Sequence, residues 1–161
     1  MPKINLTNVK YSQGRYPEEL MDYYEGNTDT YKQIKLGDLG GLSQFCVNKS
    51  ILPPNSATSM HHWHETEDEF VFVISGEATL IDGNGEQEMN SGDYATFKAE
   101  ENNALAIINK SNDDVVLLKI GSRAEKDIVR YEGKDLINFV NKSQIDQNIF
   151  KDSSGKIIYL R

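Results

Sequence analysis

An all-β architecture is predicted by three features of this 161-residue chain. Short β-prone runs recur at close spacing, turn signals separate nearly all of them, and no long amphipathic helical stretch intervenes. Residues 1 to about 30 stand apart as a polar, Tyr-rich arm of weak periodicity. Within it, Pro17-Glu18-Glu19-Leu20-Met21 suits a short helix with proline in the first turn. From Tyr31 onward strands are expected at 31–36, 43–52, 60–63, 69–75, 78–81, 94–97, 105–109 and 115–120.

The punctuation is Gly37-Asp38 with Gly40-Gly41, Pro53-Pro54-Asn55-Ser56, Asp82-Gly83-Asn84-Gly85, Asn90-Ser91-Gly92-Asp93 and Asn112-Asp113-Asp114. Asp-Gly-Asn-Gly tolerates positive φ and should close a hairpin between 78–81 and 86–89. Phe70, Phe72 and Ile74 alternate with Val71 and Val73, so both faces of that strand are apolar, as between two packed sheets. Cys46, between Phe45 and Val47, reads as a buried small hydrophobe. Further β-prone pieces at 128–140 and 149–160 read as a tail laid on the barrel.

Composition narrows the function classes. A net charge of −8 gives no electrostatic footprint for nucleic acid or an anionic membrane. One cysteine permits no intramolecular disulfide and fits a reducing compartment. The amino-terminal residues lack the basic and apolar regions of a secretory signal, and no window approaches the roughly 20 apolar residues of a membrane span. The expectation is a soluble cytoplasmic protein.

All three histidines fall in one stretch, His61-His62-Trp63-His64. Alternate strand residues share a face, so His62 and His64 point together and His61 points away. Glu69 follows at the head of the next strand. Two neutral imidazoles and a carboxylate make a facial triad for a divalent ion such as Fe²⁺, Mn²⁺, Ni²⁺ or Zn²⁺, with positions left open for water or substrate. The flanking acids Glu65, Glu67 and Asp68 read as a solvated face.

The pattern His62-x-His64-x4-Glu69-x6-Gly76 resembles the first motif of the cupin superfamily, in particular its small, largely uncharacterised single-domain members. The resemblance extends through Gly92-Asp93, Phe97, Asn109 and Gly121-Ser122-Arg123, over roughly residues 35–135. It implies a double-stranded β-helix, with an arm at 1–30, the barrel at 31–125 and a tail at 126–161 packed on it. In such proteins a fourth ligand, histidine, precedes the asparagine matching Asn109 by four residues; here that position is Leu105. Lys98 and Glu100 replace the expected proline and glycine, which should remove a tight turn, while Asn55 can hold a turn usually made by glycine. Glu100, Glu101, Asn102 and Asn103 lie close by as alternative oxygen donors to the site.

Two function classes follow. One is an enzyme acting through the metal on a small polar metabolite; cupin relatives include dioxygenases, sugar-phosphate isomerases and lyases. The other is a non-catalytic ligand-binding or sensing barrel with a weakened or vestigial metal site. A homodimer is expected, with Tyr11, Tyr16, Tyr23 and Tyr24 of the arm as interface residues.

Overall fold

The computed structural model describes residues 3–14, 16–23, 31–143 and 147–161. The strands among them are β1 (Ser12–Gln13), β2 (Lys32–Lys35), β3 (Phe45–Leu52), β4 (His62–His64), β5 (Glu69–Ser75), β6 (Ala78–Asp82), β7 (Gly85–Met89), β8 (Tyr94–Phe97), β9 (Ala106–Ile108), β10 (Val115–Ser122), β11 (Lys126–Tyr131), β12 (Ile137–Asn141), β13 (Gln147–Lys151) and β14 (Ile157–Leu160). They form a six-stranded sheet in the order β1-β2-β3-β10-β5-β8, a five-stranded sheet β14-β13-β12-β11-β4 and a three-stranded sheet β7-β6-β9. Every ladder between them is antiparallel.

The Asp-Gly-Asn-Gly stretch closes the β6–β7 hairpin as expected, with Asp82 opposite Gly85. Asn55 takes φ 62° in the Pro-Pro-Asn-Ser turn. Gly76 leaves β5 at φ +87°, where a Cβ would lie 2.8 Å from the Asp114 carbonyl oxygen and 3.0 Å from the Val115 Cα. A larger residue there would force the Asp114–Val115 backbone to shift.

Several local expectations change. The histidine strand begins at His62 instead of residue 60, leaving Met60 in the core. After β2 the chain makes one helical turn, Leu36–Leu39. On β5 only Val71 and Val73 enter the core, whereas Ile74 is 42% exposed and Phe70 stacks on the solvent-facing Tyr94 ring. Cys46 is half-buried. Glu100 holds φ 68° where glycine was expected, and its N–H donates to the His64 carbonyl at 3.1 Å. The tight turn therefore survives without its usual residues and ties down the end of β4.

Residues 126–161 supply four of the five strands in the histidine sheet, because β11 pairs with β4. Two hydrophobic cores result. One gathers Leu52, Val71, Val73, Leu105, Ile107, Val115 and Leu117; the other gathers Leu20, Met60, Val129, Tyr131, Leu136 and Phe150. The arm is drawn into the second: Pro17-Glu18-Glu19 opens a 3₁₀ turn, Glu18–Tyr23, whose Leu20 is fully buried, and Tyr16 and Tyr23 pack beside it. Those two tyrosines are thus engaged within the chain. Tyr24 lies outside the described residues.

Candidate metal centre

Pairing with β11 fixes β4 opposite Tyr131 (at His62) and Val129 (at His64), so both imidazoles share the inner face of the five-stranded sheet. Glu69, at the start of β5 in the six-stranded sheet, approaches from across the barrel. Its Oε2 lies 4.0 Å from His62 Nε2 and 3.8 Å from His64 Nε2. Those separations are too long for hydrogen bonds. The three donor atoms lie within 4.8 Å of one another.

Each imidazole is held by its other nitrogen. His62 Nδ1 lies 2.7 Å from the Met60 carbonyl oxygen, to which it donates, and His64 Nδ1 lies 2.5 Å from Asp127 Oδ2. Hydrogen bonds at Nδ1 leave both Nε2 atoms facing Glu69, where they could serve as ligands. Glu69 Oε2 is buried and has no hydrogen-bond partner among the described residues. A buried carboxylate oxygen without a donor, facing two imidazole nitrogens, fits a cation.

A second group, His64, Glu67 and Asp127, is equally compact but its oxygens are already satisfied. Asp127 accepts from the Thr66 N–H at 3.0 Å and the Thr66 hydroxyl at 2.7 Å, besides facing His64. Glu67 accepts from the Ala124 N–H and from Lys142. This is a hydrogen-bonded network supporting the first group.

The electrostatics follow the contacts. Burial holds His62 well below the ordinary imidazole value, against the pull of Glu69. Burial also opposes charge on His64, but the Asp127 hydrogen bond and the Glu69, Asp127 and Glu67 charges outweigh it and raise its pKa. Asp127 falls to about 2: burial works against ionisation there too, and the bonds from His64 and Thr66 overcome it. Burial raises both Tyr16 and Tyr131, so these phenols stay neutral.

The donors line a cavity of about 330 Å³. Leu105 forms part of its wall and exchanges two backbone hydrogen bonds with His62. Glu100, Glu101, Asn102 and Asn103 do not line it. His61 points elsewhere, its Nε2 3.2 Å from the Ile81 carbonyl oxygen and its Nδ1 3.7 Å from Glu132. Of the flanking acids only Asp68 stays solvated; Glu67 is drawn inward by Lys142, and Glu65 pairs with Arg130. Asp127, Lys119, Lys142, Tyr16 and Tyr131 also reach the cavity, and none carries a local sequence signal.

The Cupin domain family matches residues 48–121. The chain is similar to a sugar phosphate isomerase of the cupin superfamily from Silicibacter pomeroyi DSS-3, with 32% identity over 96% of this chain and 95% of that one, and a TM-score of 0.86. It also superposes on an inferred sugar phosphate isomerase from Acidithiobacillus ferrooxidans (23% identity, 88% and 94% covered, TM-score 0.72). A polyketide cyclase from Streptomyces resistomycificus shares the fold at 17% identity, 83% and 87% coverage and a TM-score of 0.64. No curated protein sequence matches the chain.

Proposed function

This chain belongs to the cupin superfamily, and from that premise we propose that it holds a divalent metal through His62, His64 and Glu69 and acts on a small polyhydroxylated metabolite. The observation that carries the reading is the buried, unpartnered Oε2 of Glu69 facing two oriented imidazole nitrogens. Fe²⁺, Mn²⁺, Ni²⁺ and Zn²⁺ all suit this donor set. Once bound, such an ion polarises substrate oxygens as a Lewis acid.

Isomerisation of a sugar phosphate is the favoured reaction, supported by the relative at 32% identity. The chain's own groups suit a polyol. Lys119 and Lys142 bring cationic donors to the cavity, Tyr16, Tyr131 and Asn138 bring neutral polar ones, and Leu105, Val71 and Ile107 keep one wall dry. A lyase or dioxygenase would use the same donors. The polyketide cyclase shows that the fold hosts other chemistry, so the reading rests on the site.

Metal analysis of protein purified without an affinity tag, combined with NMR detection of deuterium uptake from D₂O into candidate sugar phosphates, tests the reading. One equivalent of metal and exchange that stops with chelator are the expected results. Metal with neither deuterium exchange nor an isomerised product on any sugar phosphate would remove the isomerase assignment. Absence of metal would favour the second reading, a non-catalytic ligand-binding barrel, for which Leu105 at the usual fourth-ligand position is the supporting observation.

A cytoplasmic homodimer completes the proposal. No helix among the described residues is long and apolar enough to cross a membrane. With Tyr16 and Tyr23 packed in the chain's own core, support for a second copy comes from the outward face of the six-stranded sheet, where Phe45, Ile74 and Tyr94 are 42%, 42% and 66% exposed. Light scattering at micromolar concentration should give twice the chain mass; a monomer would refute it.

A further inference from the structure

A second cleft, of about 690 Å³, shares Val140 and Lys142 with the metal pocket. The two are also joined through one cross-strand pair on the inner face of the six-stranded sheet. Asn48 of β3 lies opposite Lys119 of β10; Asn48 lines the cleft and Lys119 the metal pocket.

The cleft reverses the charge of the molecule. Across a chain of net charge −8, its lining holds Lys35, Arg123, Lys142 and Arg161 against only Asp38 and Glu125. These cations come from four separate places: the end of β2, the turn after β10, the turn after β12 and the residue after β14. Folding, not a local basic run, therefore assembles them. Arg123 is anchored by Asp38 and by the Leu42 carbonyl at 3.2 Å, and Lys142 by Glu67. Lys35 and Arg161 have no ion pair among the described residues. The metal pocket is more mixed, with Glu67, Glu69 and Asp127 beside Lys119 and Lys142 in its lining.

We propose that this cleft is a subsite for a phosphoryl group, carried by the same small substrate whose other end faces His62, His64 and Glu69; only that second half rests on the function proposed above. Several cations from different elements lining one cleft suit a dianion, whereas one arginine fork would satisfy a carboxylate. The uneven charge along the two compartments also sets direction. An anionic end is drawn to the excess of cations in the cleft, which leaves the neutral hydroxyl-bearing end beside the donors.

The test is calorimetric titration of inorganic phosphate into the full chain stripped of metal with chelator, at fixed ionic strength, with acetate as the comparison anion. Saturable phosphate binding at least tenfold tighter than acetate is expected. The double variant Lys35→Gln/Arg161→Gln should weaken it at least tenfold, and Lys126→Gln, a charge change outside the cleft, should leave it unaltered. Should the double variant not fold, Lys35→Gln alone, at an exposed position, must still lower phosphate affinity several-fold. Phosphate binding no tighter than acetate, or equally tight in the cleft variants, overturns the proposal. Metal stoichiometry measured in parallel separates the two readings: phosphate binding without metal sinks only the metal site, and metal without phosphate binding sinks only this subsite.

Discussion

Asp127 Oδ2 lies 2.5 Å from His64 Nδ1, joining a carboxylate on β11 to an imidazole on the paired strand β4. Asp127 is itself 4% exposed and fixed by both the backbone and the hydroxyl of Thr66. Such a carboxylate sets the ring orientation and strengthens the opposite nitrogen as a ligand. Asp127→Asn keeps the shape and removes the charge. It should weaken metal affinity roughly 10–100-fold, while circular dichroism stays that of the native fold. Titration calorimetry with Zn²⁺ measures this; unaltered affinity would make Asp127 a purely structural partner of Thr66.

Alanine at either histidine should abolish stoichiometric metal, because three donors are the fewest that hold the ion in this arrangement. His61→Ala should leave it nearly unchanged, since that ring is bound to the Ile81 carbonyl outside the cavity. Elemental analysis of the three variants decides the matter. Equal loss from His61→Ala would mean that the assigned donors are wrong.

The two histidines of the candidate site should titrate apart in the metal-free protein. His62 has a folded pKa below its ordinary 6.5, so its contribution to stability is complete above that value and is lost as pH falls. His64 has a raised pKa, so its contribution is complete below 6.5 and is lost as pH rises through the folded value. Asp127 adds stability above 3.8 that is lost as pH falls toward about 2. NMR titration of the imidazole protons should place the two rings on opposite sides of 6.5; the reverse order would contradict the Asp127–His64 contact. Metal binding should weaken on acidification, since protons compete for both Nε2 atoms.

Much of this was legible in the chain because it is local. His62 and His64 share a face by side-chain alternation, and Glu69 follows within five residues at the head of the next strand, although that strand belongs to the facing sheet. The Asn55 turn and the β6–β7 hairpin follow from which residues tolerate positive φ. Asp127 was not legible, since it reaches His64 through a strand pairing 63 residues away in sequence. The same holds for Lys142 on Glu67, which turned an apparently solvated acid inward. Glu100 misled in the other direction. Its φ of 68° shows that a hydrogen bond to His64 can hold a non-glycine residue in that conformation.

Gly76→Ala probes how closely β5 must turn. The backbone strain of a side chain at φ +87° costs roughly 1–3 kcal/mol. Overlap with the Asp114 carbonyl and Val115 adds to it, since both contacts fall on backbone that cannot swing away. Denaturant unfolding should show this loss, with metal affinity little changed in the folded fraction because Glu69 lies at the other end of the strand. A variant as stable as wild type would show that the connection has room to shift.

Leu105→His tests the open side of the donor set. Leu105 is 4% exposed, lines the donor cavity and exchanges backbone hydrogen bonds with His62 in both directions, so a ring at this position starts from backbone bridged directly to a candidate donor. Without metal the substitution places a polar ring among apolar neighbours and should destabilise the fold by about 1–3 kcal/mol. With metal the added nitrogen becomes a fourth donor, and binding to the native state alone returns that stability. The melting temperature should therefore fall below wild type in chelator and rise further than wild type on adding Zn²⁺ or Ni²⁺. A loss that metal fails to reverse would place residue 105 out of reach of the ion, and the three-donor site would then owe nothing to a ligand missing at that position.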